Sequence, residues 1–272
     1  MALWQTTRFR LDLTRPLVMG IVNNTPDSFS DGGHHHSVTA ALRHAEKLLK
    51  DGAHILDIGG ESTRPGSPAV PLEEEMRRVL PFVQAAVQFG VPISVDTYKA
   101  QVMQAVLDAG ADIINDVWAL RQPGAQSVVA NHPHCGVVLM HMHKTPQDMQ
   151  QTPMQGDAVA QVQDFLAQQT QALVALGVER QRIVWDYGIG FGKTVAQNFA
   201  LLAHQTALTR QGFALLAGWS RKSSLGQVTN LSVEERMVPS VAAAVLAVER
   251  GARIVRVHDV AETVSALAVW QA

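Results

Sequence analysis

The chain has 272 residues and a formal net charge of −2, with 47% hydrophobic and 17% charged residues. That length is normal for one α/β barrel, and so weak a charge gives no field favouring nucleic acid or an acidic membrane as partner. No window reaches the apolar length of a membrane span, no basic-then-apolar leader is seen, and the lone Cys135 excludes an internal disulfide, so a cytoplasmic protein is expected.

Residues 5–13 alternate apolar and polar, which predicts a short β-hairpin closing the bottom, amino-terminal end of a barrel. Val18–Asn23 is a continuous apolar run, the mark of a strand covered on both faces. Thr39–Asp51 reads as a helix with Leu42, Ala45, Leu48 and Leu49 on one face and Gly52 as its stop. His54–Glu61 is the second strand run. Pro71 then opens a helix with Glu73, Glu74 and Glu75 in its first turn, where the helix dipole favours negative charge. Further strand runs follow at Ile93–Asp96, Ile113–Asp116, Val137–His141, Ile183–Asp186, Ala214–Arg221 and Ile254–His258. Between and after them, helices are predicted over Lys99–Ala109, Asp157–Leu176, Val195–Leu208, Val233–Arg250 and Val260–Trp270. Thr194 with Gln197, and Ser232 with Glu235, have the spacing of capping boxes. Cys135 stands just before a strand, as a small buried hydrophobe would.

This alternation without a linker predicts a single-domain (β/α)8 TIM barrel, with parallel strands and right-handed crossovers. A doubly wound open sheet is the competing fold, and eight such units favour closure. In a barrel the carboxyl ends of all strands share one mouth. Asn23, Asp96, Asn115, Asp186, Lys222, Arg256 and His258 are therefore expected to converge on one pocket. The connections Asn24–Ser37 and Ser62–Val70 are long and rich in Gly, Pro, Ser and Asp, as functional lids are. His34-His35-His36 reads as a mobile loop segment, and neither it nor His132, His134, His141 and His143 is taken as a metal cluster. Gly188–Lys193 lacks the Walker spacing, so an NTPase is rejected.

Four segments stand out: Asn23–Gly33, Gly59-Gly60-Glu61-Ser62-Thr63-Arg64-Pro65-Gly66, Asp186-Tyr187-Gly188-Ile189-Gly190-Phe191-Gly192-Lys193 and Ser220-Arg221-Lys222-Ser223. With Arg256-Val257-His258-Asp259 they resemble the dihydropteroate synthase family, in order and spacing, from about Leu17 to the last helix. The resemblance implies that 6-hydroxymethyl-7,8-dihydropterin diphosphate is joined to 4-aminobenzoate, with release of pyrophosphate. It also implies Mg²⁺ as cofactor, a (β/α)8 barrel and a homodimer.

The residues suit that chemistry. Asp186 and Asn115 can accept from the N–H groups of a pterin edge, Lys222 can donate to it, and Met140 and Phe191 can line the slot. Asp96 can stabilise a cation formed if the bond to diphosphate breaks first, although it could instead pair with Lys99 or cap the next helix. Arg256 offers a fork to phosphate and a flat face to the ring; Asn23, Thr63, Arg64 and His258 complete the diphosphate group. Asn23 is the candidate Mg²⁺ ligand, by its hard amide oxygen. Phe29 and Pro65 can wall the 4-aminobenzoate ring, and Ser220 and the backbone near Arg221 can meet its carboxylate. Asp96, Lys222 and Arg64 are the candidate catalytic residues.

The chain departs from the family pattern at Asn24, at His143-Lys144 and at Tyr187, which replaces a proline and predicts a less rigid loop after Asp186. A pterin-binding paralogue without synthase activity is the alternative, and a corrinoid-linked methyltransferase is a third reading. Thr63, Arg64, Lys222, Arg256 and His258 argue for the synthase.

Overall fold

A computed structural model describes residues 2–23, 34–62, 66–146, 148–149 and 151–272. Asn24, Phe29, Thr63, Arg64 and Pro65 lie outside the described residues, as do the side chains of His34, His35 and His36.

The amino-terminal alternation forms a hairpin of β1 (Leu3–Gln5) and β2 (Arg10–Asp12), with Trp4 facing Leu11. Trp4 and Leu13 are buried against Met19, Ile55, Ile113, Val138, Val184, Leu216 and Ile254, which plugs one end of the barrel. Polar ties fix the plug. Trp4 Nε1 donates to the Arg182 carbonyl at 2.9 Å, and Arg8 forks onto Asp112 with contacts of 3.0 and 2.7 Å.

Eight strands follow: β3 (Leu17–Asn23), β4 (Ile55–Gly59), β5 (Ile93–Asp96), β6 (Ile113–Asp116), β7 (Gly136–Met140), β8 (Ile183–Asp186), β9 (Ala214–Ala217) and β10 (Ile254–Val257). They pair in parallel and close when β10 bonds to both β3 and β9. Each run is mostly apolar in sequence, and its side chains alternate between two environments. On β4, Ile55 and Asp57 face the barrel interior while Leu56 and Ile58 join the outer layer against the helices. On β10, Ile254 and Arg256 point in while Val255 and Val257 point out. The lower interior layer is apolar and the upper one is polar.

The helices form the outer ring. They are α1 (His34–Lys50), α2 (Leu72–Ala86), α3 (Ala100–Asp108), α4 (Ala125–Asn131), α5 (Ala158–Ala175), α6 (Val195–Ala203), α7 (Gln205–Thr209), α8 (Ser223–Thr229), α9 (Met237–Glu249) and α10 (Val260–Gln271). Helix α1 starts at His34, so the histidine tract expected in a loop is helical. The capping box Thr194–Gln197 is present, with Gln197 N–H donating to Thr194 Oγ1 at 3.2 Å and Thr194 N–H donating to Gln197 Oε1 at 2.9 Å. Its helix breaks at His204 rather than running to Leu208.

Ser232 and Glu235 bond to each other, but they close a turn before α9, which begins only at Met237. Helices α4 and α8, of 7 residues each, were not read from the sequence; both are too short to show a helical period. Strand β9 ends at Ala217, so the expected run to Arg221 is cut short. Arg221 has a φ of 58°, which no strand residue adopts. Among the described residues no helix is long and apolar enough to cross a membrane.

Candidate active site

All seven residues expected to converge do so. Asn23, Asp96, Asn115, Asp186, Lys222, Arg256 and His258 line one cavity of about 700 Å³ at the carboxyl ends of the strands. Met140, Phe191, Ser220 and Arg221 line it too, whereas Phe29, Thr63, Arg64 and Pro65 fall outside the described residues. The sequence reading missed Glu61, Val117, Met149, Ser223 and Arg236 in the wall.

The floor is an ionic network. Arg256 Nε donates to Asp57 at 2.6 Å and its Nη2 to Asp96 at 3.0 Å. Asp57 also accepts from Ser94 Oγ at 2.5 Å and from Asn115 Nδ2 at 3.1 Å. Asp96 thus pairs with Arg256, not with Lys99. Lys99 sits between Glu61 and Glu75, and Tyr98 donates to Glu61 at 2.8 Å. Glu75 therefore does more than complement a helix dipole: it is a buried partner of Lys99.

Burial pushes Asp96 up to about 7; Arg256 opposes that rise, and Asp57, Asp116 and Glu75 add to it. Burial also raises Asp186, against the Gly188 N–H and the charges of Lys222, Arg256 and Lys193. Burial pulls Arg256 down, but Asp57 and Asp96 outweigh it and leave the guanidinium above its ordinary value.

One wall is the loop after β8. Asp186 accepts from the Gly188 N–H at 2.7 Å. Lys193 donates to the carbonyls of Gly188 at 2.8 Å, Phe191 at 3.2 Å and His141 at 3.3 Å. Burial pulls its ammonium down to about 7. Lys222 Nζ lies 4.4 Å from the Phe191 ring centre. Tyr187, where a less rigid loop was expected, is anchored on both sides. Its side chain is fully buried, donates to Gln205 Oε1 at 2.8 Å and accepts from Trp219 Nε1 at 3.2 Å.

At the rim, Ser220 Oγ lies 2.9 Å from His258 Nδ1 and accepts the His258 N–H at 3.1 Å. Arg221 lines the cavity with its Nε, Nη2 and backbone N–H already engaged. Its guanidinium forks onto Asp259 at 2.6 and 3.2 Å, and its backbone N–H donates to Ser240 Oγ at 2.8 Å. The Arg221 backbone N–H itself is therefore taken, whereas the expectation concerned the backbone near it. His132 is bonded before β7 while His141 and His143 follow it, so the four histidines form no cluster. Among the described residues no group of three or more His, Cys, Asp or Glu is placed to hold a metal.

A pterin binding enzyme family model matches residues 19–258. The dihydropteroate synthase of Neisseria meningitidis serogroup B is 48% identical, over 99% of this chain and 96% of that protein. The chain belongs to the dihydropteroate synthase family. Dihydropteroate synthases of known structure match the barrel closely. The Xanthomonas albilineans enzyme with 4-aminobenzoic acid has a TM-score of 0.90 and 53% identity, over 96% of this chain and 94% of that one. The Burkholderia cenocepacia enzyme with 7,8-dihydropteroate has a TM-score of 0.91 and 51% identity, over 99% of this chain and 95% of that one.

Proposed function

We infer that the protein is a transferase that condenses 6-hydroxymethyl-7,8-dihydropterin diphosphate with 4-aminobenzoate, giving 7,8-dihydropteroate and pyrophosphate. The observation that carries this is the convergence of Asp96, Asn115, Asp186, Lys222 and Arg256 on one cavity, in a chain of this family. In the proposed site the pterin edge lies against Asn115, Asp186 and Lys222, with Met140 and Phe191 beside the ring. The C–O bond to diphosphate breaks first, and its electron pair leaves with pyrophosphate. Positive charge then spreads into the ring, where the Asp96 carboxylate lowers its energy in a site shielded from water. The arylamine nitrogen forms the new C–N bond and its proton passes to solvent, so no strong base is required.

The diphosphate faces Asn23, Arg256 and His258, with Thr63 and Arg64 supplied by the second loop. Phe29 and Pro65 are assigned by the family resemblance to the walls of the 4-aminobenzoate ring, with Ser220 at its rim. Asn23 offers one hard carboxamide oxygen at the mouth, which fits Mg²⁺, an ion that keeps waters and phosphate oxygens and takes few protein ligands. When bound, that ion neutralises charge on the leaving diphosphate.

A homodimer fits the apolar side chains exposed on the last helices, Val238 (67% exposed) and Leu246 (44%) on α9 and Val269 (79%) on α10. Light scattering that finds only a monomer would remove that part.

The deciding assay mixes the protein with pterin diphosphate, 4-aminobenzoate and Mg²⁺ and follows pyrophosphate. Release that depends on 4-aminobenzoate is the expected result. Pterin binding without release would instead mark a binding protein.

A further inference from the structure

Asp57 is fully buried and does not line the cavity, yet three donors meet on it: Ser94 Oγ, Asn115 Nδ2 and Arg256 Nε. They come from β5, β6 and β10, so one carboxylate on β4 ties strands on both of its sides. An asparagine amide is nearly symmetric in shape, and only its hydrogen bonds decide which end faces a ligand. An ionised carboxylate accepts and cannot donate. Asn115 must therefore turn its Nδ2 towards Asp57, which leaves Oδ1 as the acceptor available to the cavity. Asp57 and Asp96 also hold the Arg256 guanidinium on one edge, at 2.6 and 3.0 Å, and so fix its plane.

We propose that Asp57 is a positioning residue for the pterin: it fixes the acceptor end of Asn115 and the plane of Arg256 from beneath the site. The cavity then selects a flat heterocycle that presents an N–H donor at the Asn115 position and rejects one that presents an acceptor there, because two acceptors would face each other unpaired. This assignment rests on the pterin-transferase reading above.

The test is a donor–acceptor exchange, read by calorimetry with 6-hydroxymethyl-7,8-dihydropterin diphosphate and by the KM for 4-aminobenzoate. Asp57→Asn, in a protein that still melts cooperatively, weakens pterin binding while the KM for 4-aminobenzoate at saturating pterin stays put. Asn115→Asp sets two carboxylates against each other and binds pterin poorly. In the double variant the amide on β4 donates to the carboxylate on β6, whose second oxygen still faces the cavity. It binds pterin about tenfold more tightly than Asn115→Asp alone, a coupling typical of contacting polar pairs.

Equal affinities for Asn115→Asp and the double variant overturn the assignment, as does wild-type affinity in Asp57→Asn. Should the Asp57 variants not fold, the Asn115 side-chain amide of the wild-type protein is followed by hydrogen exchange. It stays protected when pterin binds; loss of protection on binding overturns the assignment. A wild-type protein that binds no pterin diphosphate sinks the functional reading and this assignment with it. A wild type that binds, with no rescue by the exchange, sinks this assignment alone.

Discussion

Gly188→Ala tests whether the loop that carries Asp186 is held rigid. Gly188 has a φ of 66°, its N–H donates to Asp186 at 2.7 Å, and its carbonyl accepts from Lys193 at 2.8 Å. A left-handed backbone costs an L-residue about 1 kcal/mol. A Cβ there would also overlap the His141 carbonyl oxygen, standing 3.0 Å from its carbon and 3.3 Å from Met140 Cγ. Overpacking of that kind adds about 1–3 kcal/mol, for a total of about 2–4 kcal/mol. Relief requires the loop to move away from β7, which pulls the Gly188 N–H from Asp186.

Gly90→Ala is the control. Gly90 has nearly the same φ, 69°, with no heavy atom within 4 Å of a new Cβ, so it carries only the backbone cost. In a chain of this size about 1 kcal/mol lowers the melting temperature by about 2 °C. Gly90→Ala is expected about 2 °C below wild type and Gly188→Ala about 4–8 °C below it, by scanning calorimetry. Only Gly188→Ala loses pterin affinity. Equal melting of the two variants, or wild-type pterin binding by Gly188→Ala, would refute a rigid loop.

Asp96 gives a pH signature. Its carboxyl is raised to about 7, so its contribution to stability is full in acid and is lost as the pH climbs from the ordinary carboxylate range through about 7. The proposed chemistry needs the ionised form, so kcat/KM for the pterin diphosphate rises through about pH 7 and Asp96→Asn flattens that limb; a flat wild-type profile would refute the role. Lys99→Met strands Glu61 and Glu75, whose side chains are 9% and 1% exposed. Denaturant unfolding should show a loss of about 3–5 kcal/mol, and a loss under about 1 kcal/mol would mean that the pair behaves as a surface one. Asp186→Asn and Lys222→Ala each weaken pterin binding strongly, and unchanged calorimetric affinity in either removes that residue from the pocket.

The barrel was legible because eight short, mostly apolar runs alternate with helical periods, the pattern of strands buried on both faces, whose carboxyl ends share a mouth. Reading each run as a block hid its period of two. Ile55 is plainly interior, so Asp57, two residues on, faces the same way, and that spacing was the available signal for it. Tyr187 hid its anchoring for a different reason. Its partners Gln205 and Trp219 lie 18 and 32 residues away in the chain, and no local pattern announces them. Ser232 and Glu235 have the right spacing for a cap, and Ser232 still bonds Glu235. The chain turns there before α9 begins, because the side-chain pairing does not itself dictate that a helix follow.

The electrostatics of the floor link the fold to the proposed reaction. Asp57, Asp96 and Asp186 bring three acids to the network, facing Arg256, Lys222 and the buried Lys193. Burial, with Asp57, Asp116 and Glu75 nearby, outweighs Arg256 and raises Asp96 to about 7. Arg256 cannot correct it, since the edge formed by its Nε and Nη2 is already held between Asp57 and Asp96. A neutral pterin does not correct it either. A ring that becomes positive as the diphosphate departs does, because it favours the ionised Asp96 that the proposed chemistry requires. In the proposed mechanism the site holds the cationic transition state more tightly than the neutral substrate, which is the only kind of binding that accelerates a chemical step.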